Sequence, residues 1–309
     1  MLQLGGDGDP SNTPHPPWRC APIHLLPQGE KGRKNIRLTK QDNRSVYKQD
    51  DHPVLESIMD LARNEMSPRL ASPVMELRQY TLKPGQRETL IALFDREFVE
   101  TQEATGMTVI GQFRDLDRPD MFVWLRGFED MESRKDALTA FYGGPVWTRH
   151  RDAANATMID SDDVLLLKPA WRRAGFNLSG RKRPTTSEAE NKSRNSRLDG
   201  IVEIRILHLR PGMEAGFAER FQAEAVPQLT ANGVQLLGAF VSEHAENTFP
   251  RLPVRAGENV FISVTRFDNE TAHARYSAAL AASRETTQAD RTKAAETLRL
   301  TPTARSLLR

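Results

Sequence analysis

The stretch VMELRQYTLKPG at residues 74–85 decides the fold, because it returns 127 positions later as IVEIRILHLRPG at residues 201–212. Each copy alternates side chains and then meets a Pro-Gly step, the pattern of a strand running into a tight turn. The same offset relates Glu76 to Glu203, Arg78 to Arg205, Pro84 to Pro211, Phe94 to Phe221, Glu97 to Glu224, Gly106 to Gly233, Gly111 to Gly238 and Phe113 to Phe240. Matches this numerous at one offset, punctuating glycines included, predict a duplication.

Outward from the first stretch, residues 86–104 carry Leu90, Leu93, Phe94 and Phe98 at helical spacing, and Gly106 stops that helix. Residues 107–113 and 121–128 read as strands on either side of an Arg118-Pro119-Asp120 turn. Asp130 is placed to cap a helical region reaching about Met158, broken near Gly143-Gly144-Pro145, and residues 164–168 read as a last buried strand. The order is β-α-β-β-α-β, a ferredoxin-like unit. After residue 201 it repeats: a helix over 213–231, a strand over 234–241, a polar insertion over 242–257 expected as a surface loop, and a strand over 259–267. A helical region over 269–298 and a closing strand over 303–308 complete it. The fold class is therefore α+β, with two tandem ferredoxin-like units in one chain.

The remaining length is of another kind. Residues 1–72 lack any sustained period and are expected to form a disordered extension, with one short helix near 53–64. They have neither the basic start and apolar middle of a secretory signal nor the acid-poor composition of a mitochondrial presequence. Residues 170–199 are rich in Arg, Lys, Ser and Asn and read as a basic flexible linker between a unit at 73–169 and a unit at 200–309. Among all 309 residues, 43 Lys+Arg against 41 Asp+Glu give a net charge of +2, which supplies no field for nucleic acid or an anionic membrane. No window approaches the length of apolar chain a membrane span needs, so a cytoplasmic protein is expected. Cys20 is the only cysteine, which excludes an internal disulfide framework and thiolate-built metal or cluster sites.

The run Glu76 to Gly85, the strand Phe122-Val123-Trp124-Leu125-Arg126-Gly127-Phe128, the Gly144-Pro145-Val146-Trp147 step and the close of the first unit at 163–169 resemble the NIPSNAP family. The second unit is the more divergent: Leu207 stands where Tyr80 does, and Ser263 where Trp124 does. The resemblance implies a dimeric α+β barrel in which two ferredoxin-like sheets face each other, here as an internal pseudo-dimer. It implies little about chemistry. Eukaryotic members are linked to mitochondria and vesicle traffic as interaction proteins, and most bacterial members lack an assigned reaction. Other families with this barrel include cofactor-independent monooxygenases and haem-handling enzymes, an analogy of fold alone.

Residues two apart on a strand share a face, so Glu76, Arg78 and Tyr80 form one set and Glu203 and Arg205 another. Val202, Ile204 and Ile206 on the opposite face are apolar and suit the helices. The charged set, with Trp124 and Arg126, is thus expected inside the barrel, where it would orient a small polar or anionic ligand. The alternative is an internal ion pair that fixes the sheet and binds nothing. His150, in a Trp-Thr-Arg-His-Arg-Asp run, is the candidate acid or base, or else a solvated histidine. No metal-ligand spacing and no nucleotide-binding or hydrolase motif is present, and no cofactor or metal is expected. The expected role is small-molecule binding or protein interaction; the alternative is a cofactor-independent monooxygenase working in the barrel cavity.

Overall fold

The computed structural model describes residues 71–193, 200–282 and 290–309. The disordered extension and the short helix expected before residue 71 lie outside them. The first half runs β1 (Val74–Leu82), α1 (Arg87–Leu93), a π-helical turn (Phe94–Phe98), α2 (Val99–Glu103), β2 (Thr108–Asp115), β3 (Met121–Phe128), α3 (Met131–Tyr142), α4 (Pro145–Thr157) and β4 (Met158–Pro169). After α5 (Thr186–Ser193), the second half runs β5 (Ile201–His208), α6 (Glu214–Arg220), a second π turn (Phe221–Ala225), α7 (Val226–Ala231), β6 (Gln235–Ser242), β7 (Val260–Phe267), α8 (Glu270–Ala282) and β8 (Glu296–Pro302). Even the π turns obey the offset of 127.

All eight strands close one antiparallel barrel in the order β1-β3-β2-β8-β5-β7-β6-β4. Each half contributes a four-stranded sheet, and the fourth strand of each pairs with the second strand of the other. Asp115 meets Leu300 at one seam, and Leu167 meets Ser242 at the other. Closure leaves neither sheet with a free edge. The repeated glycines gain a reason here. Both β2 and β6 shift register next to Gly111 and Gly238, and a Cβ at either position would come within 2.6 Å of Phe113 or 2.8 Å of Phe240. Each bulge lays an aromatic ring over a residue that has no side chain.

The inside of the barrel is apolar, which reverses one expectation. Met75 and Leu77, Val123 and Leu125, Leu165 and Leu167 pack with Val202, Ile204 and Ile206, Ile262 and Leu298 in a single buried cluster drawn from all eight strands. An eight-stranded barrel is narrow enough to be filled by its own side chains, as here. A charge placed among these apolar side chains would be desolvated without partners. Glu76, Arg78, Tyr80, Trp124, Arg126, Glu203 and Arg205 therefore lie on the outer, helix-covered face of the sheets, not in a barrel cavity.

Three further elements differ from expectation. Residues 170–189 are packed instead of forming a free linker: Phe176 is fully buried, Ala170 and Ala174 join the backbone of Ala239, and Arg183 reaches Gln112 and Glu103. Their apolar residues cover one end of the barrel. The insertion at 242–257 is no detached surface loop, since Phe249 is buried against the first half. The closing strand is Glu296–Pro302, earlier than the expected 303–308, because β8 must reach the edge of β2 while the chain end turns back over Ile110 and Gln112. Among the described residues, no helix is long and apolar enough to cross a membrane.

Candidate functional site

Two layers between sheet and helices hold the charged residues, one in each half, on opposite sides of the barrel. In the first half, β1 and β3 are paired so that Glu76 stands beside Arg126 and Arg78 beside Trp124. The Glu76 carboxylate is fully buried and receives Arg78 Nη1 at 2.7 Å, Arg126 Nε at 2.8 Å and Arg134 Nε at 2.7 Å. Burial alone would push Glu76 up; the guanidiniums of Arg126, Arg78 and Arg134 outweigh it and hold the carboxyl well below the usual range.

One carboxylate against three guanidiniums leaves positive charge in excess, and aromatic faces take up part of it. Arg78 lies 5.4 Å from the Tyr80 ring and 5.6 Å from the Trp124 ring; Arg126 lies 5.1 Å from Trp124 and 5.9 Å from Tyr142. Further donors have acceptors: Arg78 Nε donates to the Tyr80 hydroxyl, Arg126 Nη1 to Gln102 Oε1, and Arg134 Nη1 to Asn247 Oδ1 at 2.9 Å, while Arg126 Nη2 and Arg134 Nη2 make only ion-pair contacts with Glu76 at 2.8 and 2.7 Å. Asn247 comes from the insertion of the second half. Beside it Thr248 bonds the Met131 carbonyl and Phe249 stacks on Tyr142, so this insertion closes the first half's layer. The arrangement is a filled ionic knot. Phe94, Phe98 and Phe141 pack around it edge to face, with Trp147 tilted against Phe98.

The second half repeats the frame with smaller contents. Register puts Glu203 opposite Thr265 and Arg205 opposite Ser263. Thus Thr265 replaces Arg126, Ser263 replaces Trp124, and the helix partner of the glutamate is His273, whose Nε2 lies 2.7 Å from Glu203 Oε2. Leu207 replaces Tyr80, and Ala225 replaces Phe98. Where the first half is packed solid, these exchanges leave a cavity of about 1000 Å³ between the β5–β7–β6 sheet and the helices α6 to α8.

Arg205 and Ser263 lie on the cavity's sheet side, and Leu207, Phe217, Phe221 and Leu229 line it with apolar surface. Arg220, Arg266 and Arg275 also line it, against the two carboxylates Glu224 and Asp268. Tyr276, from α8, hydrogen-bonds Arg205; burial, helped by Glu203, pushes its hydroxyl up against the pull of Arg205.

The structure thus brings Glu76, Arg78, Tyr80, Trp124 and Arg126 together, and places Glu203 and Arg205 in a separate layer. His150 joins neither. It sits on α4 with Nε2 3.5 Å from Glu97 and its ring against Phe98. Arg134 and His273 are the partners that sequence reading misses. They differ by 139, as do Phe128 and Phe267, because the insertion lengthens the second unit between the repeat's two helical regions. Matching the later helices at that second offset would have found them. Among the described residues, no group of three or more His, Cys, Asp or Glu is placed to hold a metal ion.

Residues 75–171 match the family model of NIPSNAP. No curated protein matches the chain. Among solved structures it is similar to a candidate monooxygenase from Lactobacillus acidophilus NCFM, at 12% identity over 75% of this chain and 94% of that one, TM-score 0.46. A second candidate monooxygenase, from Fusobacterium nucleatum, is similar at 8% identity over 75% of this chain and 93% of that one, TM-score 0.46. A mutant chlorite dismutase from Candidatus Nitrospira defluvii is similar at 11% identity over 76% of this chain and 94% of that one, TM-score 0.41.

Proposed function

We propose that the protein is a small-molecule-binding module whose two halves are tandem NIPSNAP-like copies with divided roles. The first, with its ionic knot and closed aromatic layer, is the structural copy; the second is the binding copy. The observation that carries this reading is the cavity of about 1000 Å³ at a position whose counterpart is packed solid. It is at the upper end of the volume range of small-molecule sites, and its walls mix apolar side chains with polar and charged ones.

A cofactor-independent monooxygenase acting in the same cavity would need a side chain that takes a proton from the substrate. Tyr276 faces the cavity, but burial pushes its hydroxyl up, which opposes service as a base. His150 belongs to the other half's helices. Binding without turnover is therefore the reading the side chains favour.

Native and denaturing mass spectrometry of the full chain tests it. A ligand retained in native spectra, absent from denatured ones, and lost in Ser263→Trp is the expected result. If the wild type and Ser263→Trp retain the same molecules, or neither responds to a small-molecule panel in thermal shift, the binding role is refuted.

A further inference from the structure

Resting on the reading that the second half's cavity binds a small molecule, we propose that its ligand is an uncharged, flat aromatic molecule whose ring takes the place that the Trp124 indole holds in the first half. There the indole is buried among other rings. Its centre lies 4.9 Å from that of Phe94 and 5.8 Å from that of Tyr80, both edge to face. In the second half Ser263 stands at that place on the sheet, and Leu207 at the place of Tyr80. Phe221, the counterpart of Phe94, keeps its position: Phe94 packs on Phe122 of β3 at 5.5 Å, and Phe221 on Phe261 of β7 at 4.7 Å. One wall of the indole's seat is therefore present in both halves, while in the second a cavity takes the place of the indole.

The helices add rings that the first half lacks. Phe217 stands where α1 has Leu90, at the offset of 127, and Tyr276 where α3 has Ala137, at the later offset of 139. Both line the cavity, together with Phe221 and with Phe267, which Tyr276 meets at 5.2 Å. The second copy has thus lost its central ring and gained rings at the margin. Such walls favour a ring over an aliphatic body of equal size, because edge-to-face pairs add attraction beyond the area they bury. The charges of the lining suit a neutral molecule. Arg205 is hydrogen-bonded to Tyr276, Arg220 is paired with Asp290, and Arg266 with Asp268 at 2.8 Å. An anion would have to draw these guanidiniums from partners they already have, and would give up its own hydration to do so. A cation would be set beside the Arg205 guanidinium, which lines the cavity next to Ser263.

N-phenyl-1-naphthylamine, an uncharged aromatic dye that brightens on leaving water, reports occupancy in the full chain. Competitors of similar size separate the terms. Of these, 1-naphthol is flat and neutral, decahydro-1-naphthol neutral but saturated, 1-naphthoate anionic and 1-naphthylmethylamine cationic. The dye is expected to fill one site, which Ser263→Trp abolishes by supplying the ring from the protein itself. The aromatic alcohol should displace it at concentrations at least about tenfold lower than the saturated one, the margin of two edge-to-face ring pairs. Both ions should need at least about tenfold more than the aromatic alcohol. Phe221→Leu should weaken the aromatic alcohol about fivefold and leave the saturated one within about twofold. Circular dichroism and thermal midpoints establish that each variant folds, and the comparison of competitors on the wild type needs no variant.

Equal displacement by the two alcohols overturns the aromatic assignment and leaves the cavity as a site for any apolar body. An ion that outcompetes the aromatic alcohol overturns the neutral assignment, while the binding role stands. Dye binding that survives Ser263→Trp overturns the proposal too, by placing the dye elsewhere. Binding of neither the dye nor any competitor refutes the binding role itself.

Discussion

The first half fills the space between its sheet and its helices with Trp124, Phe98 and Tyr80, whereas the second leaves Ser263, Ala225 and Leu207 at the matching places. Both halves have the same strands, the same bulged glycine, the same π turn and the same buried glutamate with a helix-borne partner. What differs is side-chain volume over an unchanged backbone plan. On the proposed reading the two halves separate duties: one layer is given over to packing and an ion knot, and the other to holding a ligand. The knot also explains its aromatic surroundings, since excess guanidinium charge in a dry layer needs electron-rich faces nearby.

The sharpest way to break this comparison is to neutralise each glutamate in turn. Glu76→Gln leaves three buried guanidiniums around a neutral amide and should cost roughly 3–5 kcal/mol in urea unfolding, the price of an unpaired buried charge. Glu203→Gln removes the carboxylate beside His273 and should cost about 1–3 kcal/mol. Should Glu76→Gln fail to fold, a Glu76→Gln/Arg134→Met double variant, with one cation fewer, should recover soluble protein. Equal losses at the two sites would mean that the first half holds no special knot. The pH dependence has a definite sign. Glu76 is held below its unfolded value, so its contribution is complete above an ordinary carboxylate pKa of about 4.3 and is lost as pH falls through the lower folded one. The wild type should therefore lose stability below about pH 4.3 more steeply than Glu76→Gln.

Exchanging the two rings' positions comes next in size. Trp124→Ser removes a fully buried indole and should destabilise by about 3–4 kcal/mol, in the range of large-to-small core changes. Ser263→Trp enters space that already exists and should change stability by less than about 1.5 kcal/mol. A large loss from Ser263→Trp would show that the second layer is packed as tightly as the first. The insertion gives a smaller effect. Asn247→Ala strips Arg134 Nη1 of its acceptor and should cost about 1–3 kcal/mol, with probe binding in the second half unaltered.

Much of the fold was legible because turn glycines, the Pro-Gly steps and helical stripes are local signals that recur at one offset. The face on which Glu76 and Arg78 lie was not. Alternation separates two sets of residues but cannot tell inside from outside when both faces of a strand are buried, and β1 is buried along nearly its whole length. Val202, Ile204 and Ile206 look fit for helices and fit a closed barrel equally well. Arg134 and Asn247 escaped notice for a different reason. They reach Glu76's layer from a helix past the strands and from a loop of the other half, and such closeness exists only in three dimensions. The cavity did leave a trace, as Ser263 for Trp124 and Leu207 for Tyr80, but a sequence shows such exchanges as divergence, without the volume they release.

The smallest effect sharpens the comparison at the π turns, where the first half has Asp95 and the second has Gln222 at the matching position. Asp95 accepts from Gln112 Nε2 at 2.8 Å, yet burial outweighs this and the pull of Arg305, and its carboxyl is pushed up to about 6. A carboxyl raised on folding binds its proton more tightly in the native state than in the unfolded chain, so stability falls as pH rises between about 4 and about 6. Asp95→Asn removes that dependence and keeps an acceptor for Gln112. It should therefore stabilise the protein by about 1–2 kcal/mol at pH 8 and by nearly nothing at pH 4. Gln222→Asn, at the exposed counterpart, should show no such trend. A gain from Asp95→Asn that is the same at both pH values would mean that the charge on Asp95 is not what the first half's tighter layer strains against.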